Sequence, residues 1–136
     1  MRIEGRLKKA KNWWAVEVPF LRLYTQARTK TGAYAMVKDA IELAIEQRAF
    51  TVTIYPGPEY TFGIEANNEA ALLAFGLKQL RAVSGRTIRE VAQRLGSTSP
   101  TAYSQYESGR RKPSVEKLTQ LLRAIDDDLV PVISLP

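Results

Sequence analysis

Histidine and cysteine are both absent from the 136-residue sequence. Without histidine there is no imidazole base and no imidazole metal ligand. Without cysteine there is no thiolate nucleophile, no disulfide and no thiolate-bound zinc. A hydrolase made from this chain would have to rely on carboxylates, serine or lysine. Long apolar runs are missing too, and none approaches the ~20 residues that a membrane span needs. The stretch MRIEGRLKKAKNWW carries charges but no apolar core followed by small residues, so it does not read as a secretory signal. The expectation is a cytoplasmic protein that is not an enzyme, with no membrane association, metal or cofactor.

Hydrophobic residues make up 45% of the chain, enough for a packed core, and the net charge of +6 favours a polyanionic partner. The length suits one ordinary domain or two small ones. The hydrophobic period changes near Asn67-Asn68, so we read two domains, 1–66 and 67–136. In the first, Arg2 to Ala10 alternates, and Trp13 to Val18 is rich in strand formers. Lys11-Asn12 between them is a plausible tight hairpin. Leu21 to Ala27 reads as a third strand after Pro19. Ala33, Val37, Ala40, Ile41, Ala44 and Ile45 then define a helix over 31–47, with Thr29 or Thr31 as its cap. Phe50 to Tyr55 is a strand, and Tyr60 to Glu65 a further short one. The order β-β-β-α-β-(β) predicts a small α+β domain with an antiparallel sheet and one covering helix.

The second domain reads as helices almost to its end. Glu69 to Val83 places Leu72, Leu73, Leu77, Leu80 and Val83 inward, and Ser84-Gly85 stops it. Thr87 caps a helix to Leu95, which Gly96 ends. Ser99 is expected to cap the next, with Pro100 at its first position, running to Ser108. Ser114 caps a fourth, whose apolar face is Val115, Leu118, Leu121, Leu122 and Ile125. Leu129 to Leu135 reads as a terminal strand, which Pro131 restricts to an edge or a dimer contact.

The most specific segment is Ile88 to Pro113, IREVAQRLGSTSPTAYSQYESGRRKP. Two short helices joined by a tight turn form a helix-turn-helix, which sets its second helix in the major groove of DNA. Such a crossing needs a small residue on the first helix and a turn residue tolerating positive φ. Ala92 and Gly96 supply them, four residues apart. Ile88, Val91, Leu95, Tyr103 and Tyr106 fall at core positions. Ser99, Thr101, Ala102, Ser104 and Gln105 are then the candidates for reading bases, since Gln pairs bidentately with adenine. Thr87, Arg89, Arg94, Thr98, Arg110, Arg111 and Lys112 are the candidates for phosphate contacts, and Arg86 lies among them. From Arg86 to Pro113 there are six basic side chains against two acidic ones. The plainer alternative is a four-helix bundle with a solvated charged face.

The stretch from about Glu69 to Ile125, and YSQYESGRRKPSVEKLTQLL above all, resembles the Cro/lambda-repressor helix-turn-helix family. That resemblance implies a dimer on operator DNA. It also implies an ion pair between Arg81 and Glu107 that pins the recognition helix. The turn over Gly96 to Pro100 is a residue longer than in the shortest members.

The pattern WWAVEVPFLRLYTQARTKTGAYAMVKDAIELAIEQ is similar to the HicB antitoxin family. The matching features are the aromatic-rich second strand, Val18-Pro19, Thr25-Gln26, Thr29, and a helix carrying Ala33, Lys38, Ala40 and Ile41. The resemblance implies a partial ribonuclease-H-like domain over residues 1 to about 66, without the nuclease's acidic cluster. It departs at Leu21-Arg22 and Ala27-Arg28, where the family usually has Pro-Gly and Gly-Asp. A type II antitoxin is implied. Its N-terminal domain would mask a HicA-like mRNA-cleaving toxin, with Trp13, Trp14, Leu23, Tyr24 and Gln26 as candidate contacts. Its C-terminal domain would repress the operon as a homodimer or higher homo-oligomer. Ten basic and seven acidic residues in the first 66 give no acidic surface for a basic toxin, so inhibition would rest on shape and local pairing. Glu42 and Glu46 share a helical face, which is usually a solvated one. The alternative is a stand-alone regulator whose N-terminal domain senses a ligand or oligomerises.

Overall fold

Ile3, Gly5 and Leu7 are buried while Arg2, Glu4, Arg6 and Lys8 between them are exposed, so the first segment is a half-buried strand, β1 (Ile3–Lys9). The computed structural model describes residues 1–135, which form two compact units, 1–69 and 70–135. After β1 the chain reverses at Lys11-Asn12, where the Ala10 N–H donates to the Trp13 carbonyl at 2.8 Å. It returns as β2 (Trp14–Val18). The third strand starts two residues later than its sequence suggests. Pro19–Leu21 is one turn of 3-10 helix that buries Leu21, Arg22 is left-handed at φ 51°, and β3 is Leu23–Ala27. Proline fixes φ and donates no hydrogen bond, so it opens a turn more readily than it enters a ladder.

Thr29 caps α1 (Lys30–Ile45), its hydroxyl accepting from the Gly32 N–H at 2.9 Å. Ala33, Val37 and Ile41, spaced by four, are fully buried. β4 (Val52–Pro56) and β5 (Thr61–Ala66) follow. The sheet order is β3-β2-β1-β5-β4 with every ladder antiparallel. Ile3, Leu7, Val16, Val18, Val52, Phe62 and Ile64 share the buried face. Gly5 opposes Phe62, and a Cβ on it would lie 2.2 Å from Phe62 Cζ. The missing side chain is what lets this ring cross β1. The ring also meets Tyr34 of α1 edge-on, at 5.4 Å between centroids.

An open edge strand offers unpaired backbone groups to any passing chain. On β4 the Val52 N–H donates to Glu42 Oε2 at 2.9 Å, and its carbonyl accepts from Lys38 Nζ at 2.8 Å. Lys38 and Glu42 also pair with each other at 2.7 Å, and Glu42 is held below its ordinary value chiefly by the Lys38 hydrogen bond. This carboxylate is a structural clamp on an edge.

In the second unit, α2 (Glu69–Ser84), α3 (Ile88–Arg94), α4 (Thr101–Glu107) and α5 (Val115–Ile125) enclose one core. Leu72, Leu73, Leu77, Leu80, Val91, Ala92, Tyr103, Tyr106, Leu118, Leu121, Leu122 and Ile125 are buried. Val83 and Val115, expected inward, are exposed at the two helix ends, while Ile88 and Leu95 are half-buried. Gly85, Gly96 and Gly109 follow α2, α3 and α4 with φ of 76°, 85° and 78°, a conformation that penalises any Cβ. Ser114 caps α5 through the Lys117 N–H at 3.0 Å.

Two further expectations fail. Ser99 makes no side-chain cap on α4. Its N–H instead donates to Ser97 Oγ at 3.1 Å, its carbonyl accepts from Ala102, and Pro100 is already αR, so the cap position is passed before α4 starts. Leu129 to Leu135 forms no strand. Pro131 removes one donor, and no ladder pairs this run with another among the described residues. Val130, Val132, Ile133 and Leu135 are all exposed. No helix among the described residues is long and apolar enough to cross a membrane.

Candidate nucleic-acid interface

Helix α4 is two turns long and sharply two-faced. Tyr103 and Tyr106 point into the core, while Thr101, Ser104, Gln105 and Ser108 fall on the other side at helical spacing. Thr101 is exposed; Ser104 and Gln105 are half-exposed, and among the described residues no internal hydrogen bond takes their side-chain polar groups. Their donors and acceptors therefore stand available to a groove. Ala102 is half-buried at the margin of this face, and Ser99 is exposed in the turn before it. The structure thus brings the five base-reading candidates together around one helix.

The orientation of α4 is fixed by a part-buried ion pair. Arg81 Nε and Nη2, from α2, donate to Glu107 Oε2 and Oε1, each at 2.7 Å. Arg81 Nη1 also donates to the Arg86 carbonyl at 3.0 Å. Side-chain exposure is 20% for Arg81 and 7% for Glu107, so the pair is shielded from water. Burial pushes Glu107 up, but the Arg81 guanidinium and the Tyr103 hydroxyl outweigh it, and the net direction is down. The Glu107 hydrogen bond raises Arg81 further. Burial first, then Glu107, pushes the Tyr103 phenol far up, so it remains a neutral donor. Three groups on two helices lock the angle of α4 against α2.

Helix α3 begins with a full capping box. Thr87 Oγ1 accepts from the Glu90 N–H at 3.1 Å, and Glu90 Oε1 accepts from the Thr87 N–H at 3.2 Å. The signal was plain in the sequence as Thr-x-x-Glu. Ala92, 1% exposed, and Gly96 permit the close crossing of α3 and α4. A shallow groove lined by Gly85, Arg86, Thr87, Ile88, Arg89 and Pro100 runs along the starts of the two helices. Thr87 and Arg89 are exposed there, with Thr98 exposed in the turn. After α4, Arg110, Arg111 and Lys112 are exposed, and Arg111 is tied back by its N–H to the Gln105 carbonyl at 3.1 Å.

Arg94 departs from the phosphate set. Its Nε donates to the Ala124 carbonyl at 2.8 Å, and its Nη2 to the Arg123 carbonyl at 3.2 Å and to Asp127. Arg86 Nε likewise donates to the Ile125 carbonyl at 2.9 Å. The last carbonyls of α5 lack helical partners and carry its negative dipole end, so two guanidinium groups satisfy them. Sequence reasoning missed this because the partners lie 30 and 39 residues away.

In the first unit the candidate partner contacts divide. Pairing of Tyr24 with Glu17 and of Gln26 with Ala15 sets both on the sheet face away from α1, on the edge strand β3, and both are exposed. Leu23, paired with buried Val18, is half-buried on the helix side. Trp13 and Trp14 sit at the other end of β2, among lysines and an arginine.

Residues 77–126 match a family model described as Helix-turn-helix, from the middle of α2 to just past α5. No curated protein and no solved structure matches the chain.

Proposed function

We propose that the chain is an antitoxin and autorepressor. Its helix-turn-helix binds operator DNA as a homodimer or higher homo-oligomer, and its N-terminal unit neutralises a HicA-like mRNA-cleaving toxin. It acts in the cytoplasm, without catalysis or cofactor of its own. The DNA half rests on one observation above others: a two-faced helix with available short polar groups, pinned to its scaffold by Arg81 and Glu107. The family match over residues 77–126 supports it, and a DNA-binding regulator is its coarser statement.

The antitoxin half rests on the residues from Trp13 to Gln47 that resemble HicB, and the ribonuclease-H-like reading of the sheet belongs to the same proposal. Its partner surface is best taken as the β3 edge, where Tyr24 and Gln26 are exposed on a strand with one side of its backbone unpaired. Co-expression with the product of the neighbouring reading frame, then pull-down and an RNA-cleavage assay, tests it. A stable complex with suppressed cleavage is expected. Specific promoter binding with no complex would overturn the antitoxin half and leave a free-standing regulator.

A further inference from the structure

The N-terminal unit carries a cluster of cations and aromatic rings that the toxin reading does not use. Lys9 at the end of β1, Lys11 in the hairpin, Arg28 after β3 and Lys30 at the start of α1 are all exposed. Lys9 Nζ lies 4.8 Å from the Trp14 ring centroid, and Lys30 Nζ lies 5.0 Å from it and 4.8 Å from that of Tyr60. The Arg28 guanidinium lies 5.2 Å from the Trp13 ring. Trp14 and Tyr60 meet tilted, at 5.5 Å. Among the described residues no ion pair engages any of the four cations; the acids of this unit that pair do so with Arg6 and Lys38.

Tyr60 reaches this cluster through strained backbone. Glu59 and Tyr60 are consecutive non-glycine residues with φ of 50° and 63°, in a turn where Asn-Gly is usual. The turn is held by Thr61 N–H to the Pro58 carbonyl at 3.0 Å and by Leu7 N–H to the Tyr60 carbonyl at 2.7 Å. The outcome is two large rings left partly open beside the cations, Trp13 at 41% and Tyr60 at 52% exposure.

We infer that this cluster binds single-stranded nucleic acid, with the four cations on the phosphodiester backbone and bases stacked on Trp13 and Tyr60. The cations alone would suit any polyanion. The open rings among them narrow the choice, because unpaired bases have faces to stack and a duplex hides them. The inference is independent of the toxin reading, and either can fail alone.

Trp13 and Trp14 are the only tryptophans in the chain, so intrinsic tryptophan fluorescence reports on this cluster. The experiment titrates the full chain with oligo(U), oligo(dT) and a duplex of equal length over a range of salt. Saturable quenching by the single strands is expected, with a log–log salt slope of about −3 for four cations. Tighter binding of either strand, or equal binding of both, supports the inference, and the ratio of the two affinities tells whether RNA or DNA is preferred. Lys9→Glu with Lys30→Glu should weaken binding by at least tenfold, and Tyr60→Ala by roughly tenfold. Lys11→Gln with Arg28→Gln, both exposed, gives a second test should the first pair disturb folding. Replacing Arg110, Arg111 and Lys112 by alanine should leave the quenching unchanged. No quenching, a stronger response to duplex, or affinity unmoved by both cation variants would overturn the inference.

Discussion

Glu107→Gln is the sharpest perturbation of the DNA-binding unit. It keeps the shape of the side chain and removes its charge, leaving the Arg81 guanidinium without a carboxylate. Breaking a fully buried pair from one side costs about 3–5 kcal/mol. Arg81 is one-fifth exposed and keeps its bond to the Arg86 carbonyl, so the expected loss is smaller, about 2–3 kcal/mol. For a unit of this size that lowers the melting midpoint by on the order of 10 °C or more. Urea unfolding of the wild type, Glu107→Gln, Arg81→Met and the double variant would give the coupling free energy as a double-mutant cycle. Operator affinity, followed by fluorescence anisotropy, should fall in Glu107→Gln even below its melting range, because α4 loses its fixed angle. The pH dependence has a definite sign. Glu107 is held below its ordinary value of 4.5 in the folded state, so its contribution is complete above that pH and is lost as pH falls through the lowered value. Wild-type stability should drop there more steeply than that of Glu107→Gln. Single variants each costing under about 0.5 kcal/mol, with no coupling, would mean that the pair is merely solvated and would refute the pinning argument.

Gln105→Ala should relax preference at one operator position by about 1–3 kcal/mol, read by binding to a panel of single-base operator variants. An unaltered preference would show that the reading face has been misplaced. Replacing Arg110, Arg111 and Lys112 by alanine should weaken binding to every duplex and flatten the log–log salt slope by about 3, and a slope that stays put would remove them from the phosphate contacts. Gly5→Ala should destabilise the N-terminal unit by about 1–3 kcal/mol in thermal melting, because Phe62 is closed in by the core and must yield to the new methyl. A melting curve that coincides with the wild type would show that the ring moves aside at no cost.

What the sequence discloses is local, and what it conceals is set by residues brought together from far apart. The alternation of Ile3, Gly5 and Leu7, the four-residue spacing of Ala33, Val37 and Ile41, and the glycines after α2, α3 and α4 each act within one element, and each was legible. The two faces of α4 were legible for the same reason. Arg94 was not, since an arginine for phosphate and one for the end of α5 look alike until the fold supplies the carbonyls of Arg123 and Ala124. The clamp of Lys38 and Glu42 on Val52 escaped equally, because an i,i+4 charge pair on a helix reads as solvated unless a strand edge is known to lie beneath it. Ser99 and Leu129 to Leu135 fail differently: their residue types suit a cap and a strand, and the missing part is the partner. A capping hydroxyl needs an N–H two or three residues ahead that is still unpaired, and a strand needs a neighbour. The Ala102 N–H is already bonded to the Ser99 carbonyl, and no ladder among the described residues includes 129–135. The exposed Val130, Val132, Ile133 and Leu135 thus keep the residue types of a strand, yet no strand among the described residues pairs with them.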